Sequence, residues 1–261
     1  MAIIDHPVWL FAVLLMALLG TVEVGFRLGM RSEARGENQL HEQLKGARNG
    51  LVTLVSLLLG FMLPMSLSRF DLRKHLVIEE AKAIGTTSLR AQMLPEPARS
   101  KARDLMREYV EVRLRFFDAG LGGAQLEAAN NHARQLQNEL WKQGVAAAQS
   151  SQTPITAIFA QSLNQMIDLS EERLAALENR IPGSIWLMLA SISLLTCLTL
   201  GYTLRRRTFL AMLVTPLAIS IVMALAADLD SPRTGVIRIG QQSMERVRTD
   251  LQATPEQSPT R

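Results

Sequence analysis

The chain has one cysteine, Cys197, only four histidines and few aromatic residues, 5% of the total. A single thiol excludes an intrachain disulfide and any metal site built on a cysteine pair. Cys197 lies inside an apolar run and reads as a small packing residue. His6, His41, His75 and His132 fall in separate segments, and no two of them have metal-ligand spacing. A Gly-rich phosphate loop, a nucleophile elbow and a paired-carboxylate motif are also missing, so no catalytic residue, metal or cofactor is expected. No Lys or Arg precedes the first apolar run and no small-x-small cleavage site follows it. That run is expected to stay in the protein as a helix and not to leave as a signal peptide.

What the chain does have is long apolar runs, in two pairs: residues 8–26 with 51–67, and 185–204 with 209–227. Each is close to the ~20 residues a helix needs to cross a hydrocarbon layer of roughly 30 Å. Composition fits a division of labour, because 48% hydrophobic and 20% charged residues, with mean hydropathy +0.13, require the charge to sit outside the apolar runs. The predicted organisation is a first transmembrane pair with a basic connecting loop (1–68), a helical soluble bundle (69–183), a second pair (184–228) and a juxtamembrane segment with a disordered tail (229–261). The expected fold class is all-α, with four transmembrane helices and the bundle inserted between the second and third.

The charge is basic, with a net +4. Arg27, Arg31, Arg35, Lys45 and Arg48 follow the first apolar run, and Arg205, Arg206 and Arg207 follow the third. This placement points to phospholipid head groups and away from nucleic acid. Glu23 and Arg27 are four residues apart on one helical face. They are either a polar contact or ion site between helices, or a pair snorkelling at the membrane boundary; the second reading is favoured.

In the second run Thr53, Ser56, Gly60 and Pro64 recur at helical spacing and form a stripe of small or kink-forming residues. Such a face either lets helices approach closely or, turned to a symmetry axis, leaves room for water. From the pattern alone packing is favoured. Phe61 and Met65 flank the stripe, and Ser66 and Ser68 stand where hydroxyls can serve the backbone group freed by Pro64.

No breaker lies between residues 65 and 94, so the second membrane helix is expected to run into the bundle until Pro95 and Pro97. The next helix, 98–119, places Leu105, Tyr109, Val112 and Phe116 on one face, with Arg103, Arg107, Arg113 and Arg115 largely elsewhere. A GLGG turn (120–123), a helix over 125–148, an SSQTP break (150–154) and a helix over 155–181 complete the bundle, up to a joint at Pro182 and Gly183. The bundle's first and last helices are expected to extend the membrane helices. Glu79 and Glu80, near Arg73, Lys74 and Lys82, read as a solvated or inter-subunit charged face.

The stretch 68–114, with its SRFD (68–71) and EEAKAIGT (79–86) segments, resembles the bacterial bestrophin-like membrane family. So do Gly60 and Phe61 before it and DLDSPRTG (228–235) after the last membrane run. The resemblance covers nearly the whole membrane-plus-bundle chain; Lys82 stands where the family usually has Asn. It implies a relation to bestrophins, pentameric anion channels whose second membrane helix lines the pore. Thr53, Ser56, Gly60 and Phe61 would then be pore-lining, with Pro64 completing the stripe. The acidic run that holds calcium in animal bestrophins is reduced to Asp228 and Asp230, too few oxygens for the six to eight that Ca²⁺ takes. A juxtamembrane cap at Asp230 or Ser231, turning at Pro232, is favoured over an ion or gating contact.

The function expected on this basis is a homo-oligomeric ring in the bacterial inner membrane that passes ions, anions by the resemblance, along its axis. Its partners would be the lipid bilayer, further copies of itself and inorganic ions. The alternative is a non-conducting, membrane-anchored scaffold or sensor acting through its bundle; a small-solute transporter is disfavoured because the two apolar pairs show no internal repeat. For orientation, the Lys and Arg count puts the loop from Arg27 to Arg48 in the cytoplasm and the bundle outside. The resemblance implies the reverse, and we take the charge count as the working expectation.

Overall fold

The structure is a computed structural model that describes residues 7–35, 38–118, 123–150, 153–231 and 235–253. The GLGG turn, the middle of the SSQTP break, the turn at Pro232 and the final residues 254–261 therefore lie wholly or partly outside the described residues. Among the described residues all regular structure is helical: α1 (Pro7–Ala34), α2 (Asn38–Ala91), α3 (Ala98–Asp118), α4 (Gly123–Ser150), α5 (Pro154–Glu178), α6 (Gly183–Thr203), α7 (Phe209–Asp230) and α8 (Gln242–Ala253). Four candidate spans are long and apolar enough to cross a membrane: Val8–Ala34, His41–Ala91, Pro154–Thr203 and Phe209–Asp230.

The chain divides into two compact units, Met1–Phe70 with Arg180–Ile237, and Asp71–Asn179 with Arg238–Arg261. Helix α2, 54 residues long, carries the chain from the first unit into the second without a break at Pro64. In the first unit α1 packs on α6 and α7. The core gathers Leu18 and Val22 of α1, Val55, Leu59 and Met62 of α2, Leu189 and Cys197 of α6, and Ile219 and Met223 of α7. Burial pushes the Cys197 site toward inert packing, since the thiol has no exposed surface. Ser66 does not serve the gap at Pro64: its Oγ is buried without a hydrogen-bond partner.

In the second unit α3 packs on α4 and α8, and α4 on α5. Tyr109, Val112 and Phe116 of the predicted α3 face are buried, together with Ile84, Leu140, Phe159, Leu163 and Met166. Two expectations need correction. Helix α5 does not continue into α6; it ends at a cap at Asn179, and Pro182 caps the start of α6, because two restricted residues, Pro182 and its neighbour, favour extended backbone there. The polar stretch after Gly240, expected to begin a disordered tail, forms α8. Its Met244 and Leu251 are seven apart, so both fall on one face and bury against the bundle. Arg107 Nε then donates to the Leu251 carbonyl (2.9 Å), satisfying one of the acceptors a helix end leaves open.

Candidate functional site

Helix α2 presents two distinct faces. Val55, Leu59 and Met62 turn into the core, whereas Thr53, Ser56, Gly60, Phe61 and Pro64 are exposed on the chain. Thr53 Oγ1 donates to the Asn49 carbonyl one turn back (3.0 Å), which ties its hydroxyl to the helix backbone. A Cβ built on Gly60 would meet nothing within 4 Å, and Phe61 is 68% exposed. The small-residue stripe is therefore not the face on which this chain packs its own helices.

That close approach is made elsewhere, by α1 and α6. A Cβ on Gly25 would lie 2.1 Å from the Leu198 carbonyl oxygen, one on Gly29 2.2 Å from that of Tyr202, and one on Gly201 2.0 Å from that of Val22. Gly25 and Gly29 form a G-x-x-x-G pair, a sequence signal for close helix contact that the stripe on α2 had overshadowed.

The ionic candidates Glu23, Arg27, Asp228 and Asp230 all have structural partners. Glu23 Oε1 accepts from Arg27 Nε (2.7 Å) and from Arg207 Nη2 (2.6 Å), which joins α1 to the turn before α7. Arg207 also lies over the Phe26 ring, 5.2 Å from its centroid. Asp228 accepts the backbone N–H groups of Val236 (2.7 Å) and Ile237 (3.1 Å). Asp230 accepts that of Ile181 at 3.2 and 3.3 Å, just ahead of α6. Both carboxylates thus act as caps on irregular backbone. No group of three or more His, Cys, Asp or Glu side chains placed to hold a metal ion occurs among the described residues. A Cβ on Gly235 would sit 2.4 Å from Asp228 Oδ1, so only glycine fits beside the carboxylate. Asp228→Ala is expected to leave two N–H groups unpaired at roughly 1–3 kcal/mol, and hydrogen exchange should show faster exchange of the Val236 and Ile237 amides; unchanged rates would refute the capping role.

The strongest electrostatic feature was not anticipated. Glu80, expected on a solvated face, is fully buried, and so is Arg113, expected away from the core side of α3. Arg113 Nε donates to Glu80 Oε1 (2.5 Å) and Arg173 Nη1 to Glu80 Oε2 (2.6 Å). Arg173 Nη2 also reaches Gln241 Oε1 (3.0 Å), and the Arg113 guanidinium stacks 4.6 Å from the Phe116 centroid. Burial opposes the Arg113 charge, yet the adjoining Glu80 carboxylate more than offsets it, and the pKa of Arg113 is raised. Beside this cluster Gln137 Nε2 donates to Tyr109 Oη (3.0 Å) and Ser170 Oγ (2.8 Å). Arg73, also buried, donates to the Ala176 and Asn179 carbonyls at the end of α5. Glu79, by contrast, makes an exposed pair with Lys82 (2.7 Å). The only sequence signal for the cluster was the EEAKAIGT segment that holds Glu80.

A chain that is helical throughout its regular structure among the described residues, with four apolar candidate spans, a second unit tied by a buried ion cluster, and capping carboxylates in the last turn of the last apolar helix, is a multi-pass membrane protein. Its sequence matches the Bestrophin-like domain over residues 9–244, and the chain belongs to that family. Among solved structures it is similar to a variant of a bacterial bestrophin homologue from Klebsiella pneumoniae, at 18% identity and TM-score 0.65, covering 92% of this chain and 99% of that one. A further structure of the Klebsiella pneumoniae homologue, phased on zinc, gives 16% identity and TM-score 0.64, covering 90% and 96%. A crystal structure of a membrane protein variant gives 15% identity and TM-score 0.67, covering 90% and 96%. At these identities the likeness is one of fold. No curated protein matches the sequence.

Proposed function

We propose that the protein is a homo-oligomeric ion channel of the bacterial inner membrane. Copies arranged in a ring, a pentamer by family analogy, surround a pore lined by Thr53, Ser56, Gly60, Phe61 and Pro64 of α2. The observation that carries this reading is the exposed face of α2: its small and hydroxyl side chains are left uncovered by a chain that packs α1, α6 and α7 closely. In an apolar span such a face needs water or another copy against it. Ser56 would offer a hydroxyl to a passing ion and Phe61 a hydrophobic constriction, while Thr53 lines the path with its hydroxyl proton kept on the Asn49 carbonyl; the preference for anions follows the family analogy. Glu23 with Arg27, and Asp228 with Asp230, would act at a distance from the ion, by fixing the helix ends that frame the path.

The test is ion flux through the purified full-length protein in liposomes under chloride and potassium gradients. Gly60→Trp is expected to cut flux at least about tenfold, ~1.4 kcal/mol in barrier terms, while the oligomer persists, because nothing within the chain opposes a side chain there. Loss of the oligomer in that variant would make the stripe a packing face. Absence of flux from an intact wild-type oligomer would move the reading to a membrane-anchored scaffold or sensor acting through the helical bundle.

A further inference from the structure

Among the described residues of the membrane unit, four buried side-chain polar atoms have no hydrogen-bond partner, and two of them, on His41 and Tyr202, belong to neighbouring side chains. His41 is 7% exposed, and its Nε2 makes no hydrogen bond; Tyr202 Oη is likewise buried and unpaired. The two rings lie 6.1 Å apart between centroids, at a tilt of 35°. Leaving such groups unmatched costs free energy, so an unoccupied pair invites a ligand that can hydrogen-bond to both.

The surroundings define the chemistry of that ligand. His41, Lys45 and Arg48 recur at i, i+4 and i+7 and share one face of α2. This face meets the end of α6, where Arg48 Nη1 donates to Thr203 Oγ1 (3.2 Å). Three and four residues beyond Tyr202 come Arg205 and Arg206, both exposed, Arg205 interacting electrostatically with the Glu42 carboxylate that Lys45 holds. The other cations here are engaged: Arg27 and Arg207 hold Glu23, and Lys45 holds Glu42. Helix α7 also starts at this end, and its N-cap, Thr208, makes no side-chain hydrogen bond to the first turn, so backbone N–H groups stay open. Two buried unmatched polar atoms thus stand beside the C-terminal end of α6, with Arg205 and Arg206 just beyond it, where an apolar helix ends at the level of lipid head groups.

We propose that this end of the membrane unit is a phosphate site that takes the headgroup of an anionic phospholipid. The phosphodiester oxygens accept hydrogen bonds from His41 Nε2 and Tyr202 Oη, and Arg205 and Arg206 hold the charge from outside. A lipid is favoured over free phosphate because His41 and Tyr202 stand near the ends of apolar helices, where acyl chains have apolar surface to lie along. The proposal is independent of conduction and is read by binding alone.

The experiment is native mass spectrometry and thermal unfolding of the full-length protein in detergent. The additions are phosphatidylglycerol, phosphatidylcholine or inorganic phosphate at matched concentration. Phosphatidylglycerol should stay bound and raise the melting temperature by several degrees, while phosphatidylcholine and phosphate should not. Tyr202→Phe keeps the ring and removes only Oη, and His41→Leu removes the second inner group. Each should weaken phosphatidylglycerol about tenfold, as should Arg205→Gln with Arg206→Gln, with the lipid-free melting temperature serving as the check on folding. Equal stabilisation by inorganic phosphate would overturn the lipid assignment. Loss of binding in the arginine variant with none in Tyr202→Phe or His41→Leu would overturn the built site and leave unspecific attraction to charge.

Discussion

Glu80→Ala should destabilise the helical bundle by about 3–5 kcal/mol, the range for removing one partner of a buried ion pair. Two guanidiniums, those of Arg113 and Arg173, converge on this one carboxylate in a site that water does not reach. Without it they keep their desolvation penalty and gain mutual repulsion. Neither can relieve the strain by losing its proton within ordinary pH, since arginine titrates far above neutrality. Glu80→Gln should lose less, because the amide oxygen still accepts one hydrogen bond while the charge is gone. Thermal unfolding of the full-length protein, followed by circular dichroism, measures the loss, and trypsin cleavage within residues 71–179 reports where it falls. A compensating variant separates pairing from general damage: Glu80→Met with Arg113→Met and Arg173→Leu should recover most of the stability, because an apolar cluster of similar volume carries no desolvation cost. A Glu80→Ala protein that melts with the wild type would show that the cluster contributes nothing to the fold.

Gly201→Val should separate α1 from α6. A Cβ at this position would meet the Val22 carbonyl oxygen at 2.0 Å and its carbon at 2.8 Å, and both atoms belong to backbone. A flexible side chain can rotate out of such a clash, but a carbonyl held in a helix cannot. Insertion of extra methyl groups into a packed core costs ~1–3 kcal/mol, and the expected loss here is at the upper end because neither backbone has a route of relief. Gly25→Val, set against Leu198, should behave alike. Gly60→Val is the control: it lies in the same kind of apolar helix, with open space around it, and should leave the folded subunit intact. Yield, oligomer profile in detergent and melting temperature compare the three. Equal tolerance of valine at 25, 60 and 201 would refute the close α1–α6 contact.

These two sites show what hydropathy reading reaches and where it stops. Helix α2 was legible from Leu51 onward because nothing but Pro64 interrupts its pattern, and a proline in an apolar span need not end a helix, whereas Asn38–Gly50, read as part of the connecting loop, proved to be its first turns. The stripe on α2 was legible as a stripe, but its assignment as packing or pore needed the partners of every other small residue. Gly25, Gly29 and Gly201 turned out to be those in close contact. Arg113 was placed away from the core because arginine on an amphipathic helix usually faces water, and its counter-ion is 33 residues away in sequence. Nothing local to either residue reports that pairing. A cap was readable at Asp230 or Ser231, but the capping role of Asp228 was not, and the amides the two carboxylates hold, those of Ile181, Val236 and Ile237, follow only from chain reversals that bring separate segments together.

The sequence by itself determined that the chain is all-helical, crosses a membrane with four apolar runs and carries a polar helical bundle between the second and third. Those properties are sums over contiguous residues, apolar length against hydrocarbon thickness and side-chain period against the helical turn, and need no knowledge of distant partners. The tertiary structure alone decided that Glu80 is the buried anchor of two arginines, that α1 and α6 meet through glycines, and that the small face of α2 is left uncovered by its own chain. Each of these depends on which residues, far apart in sequence, come within a few ångströms, and at that range burial and pairing energies exceed any local preference of the residues involved.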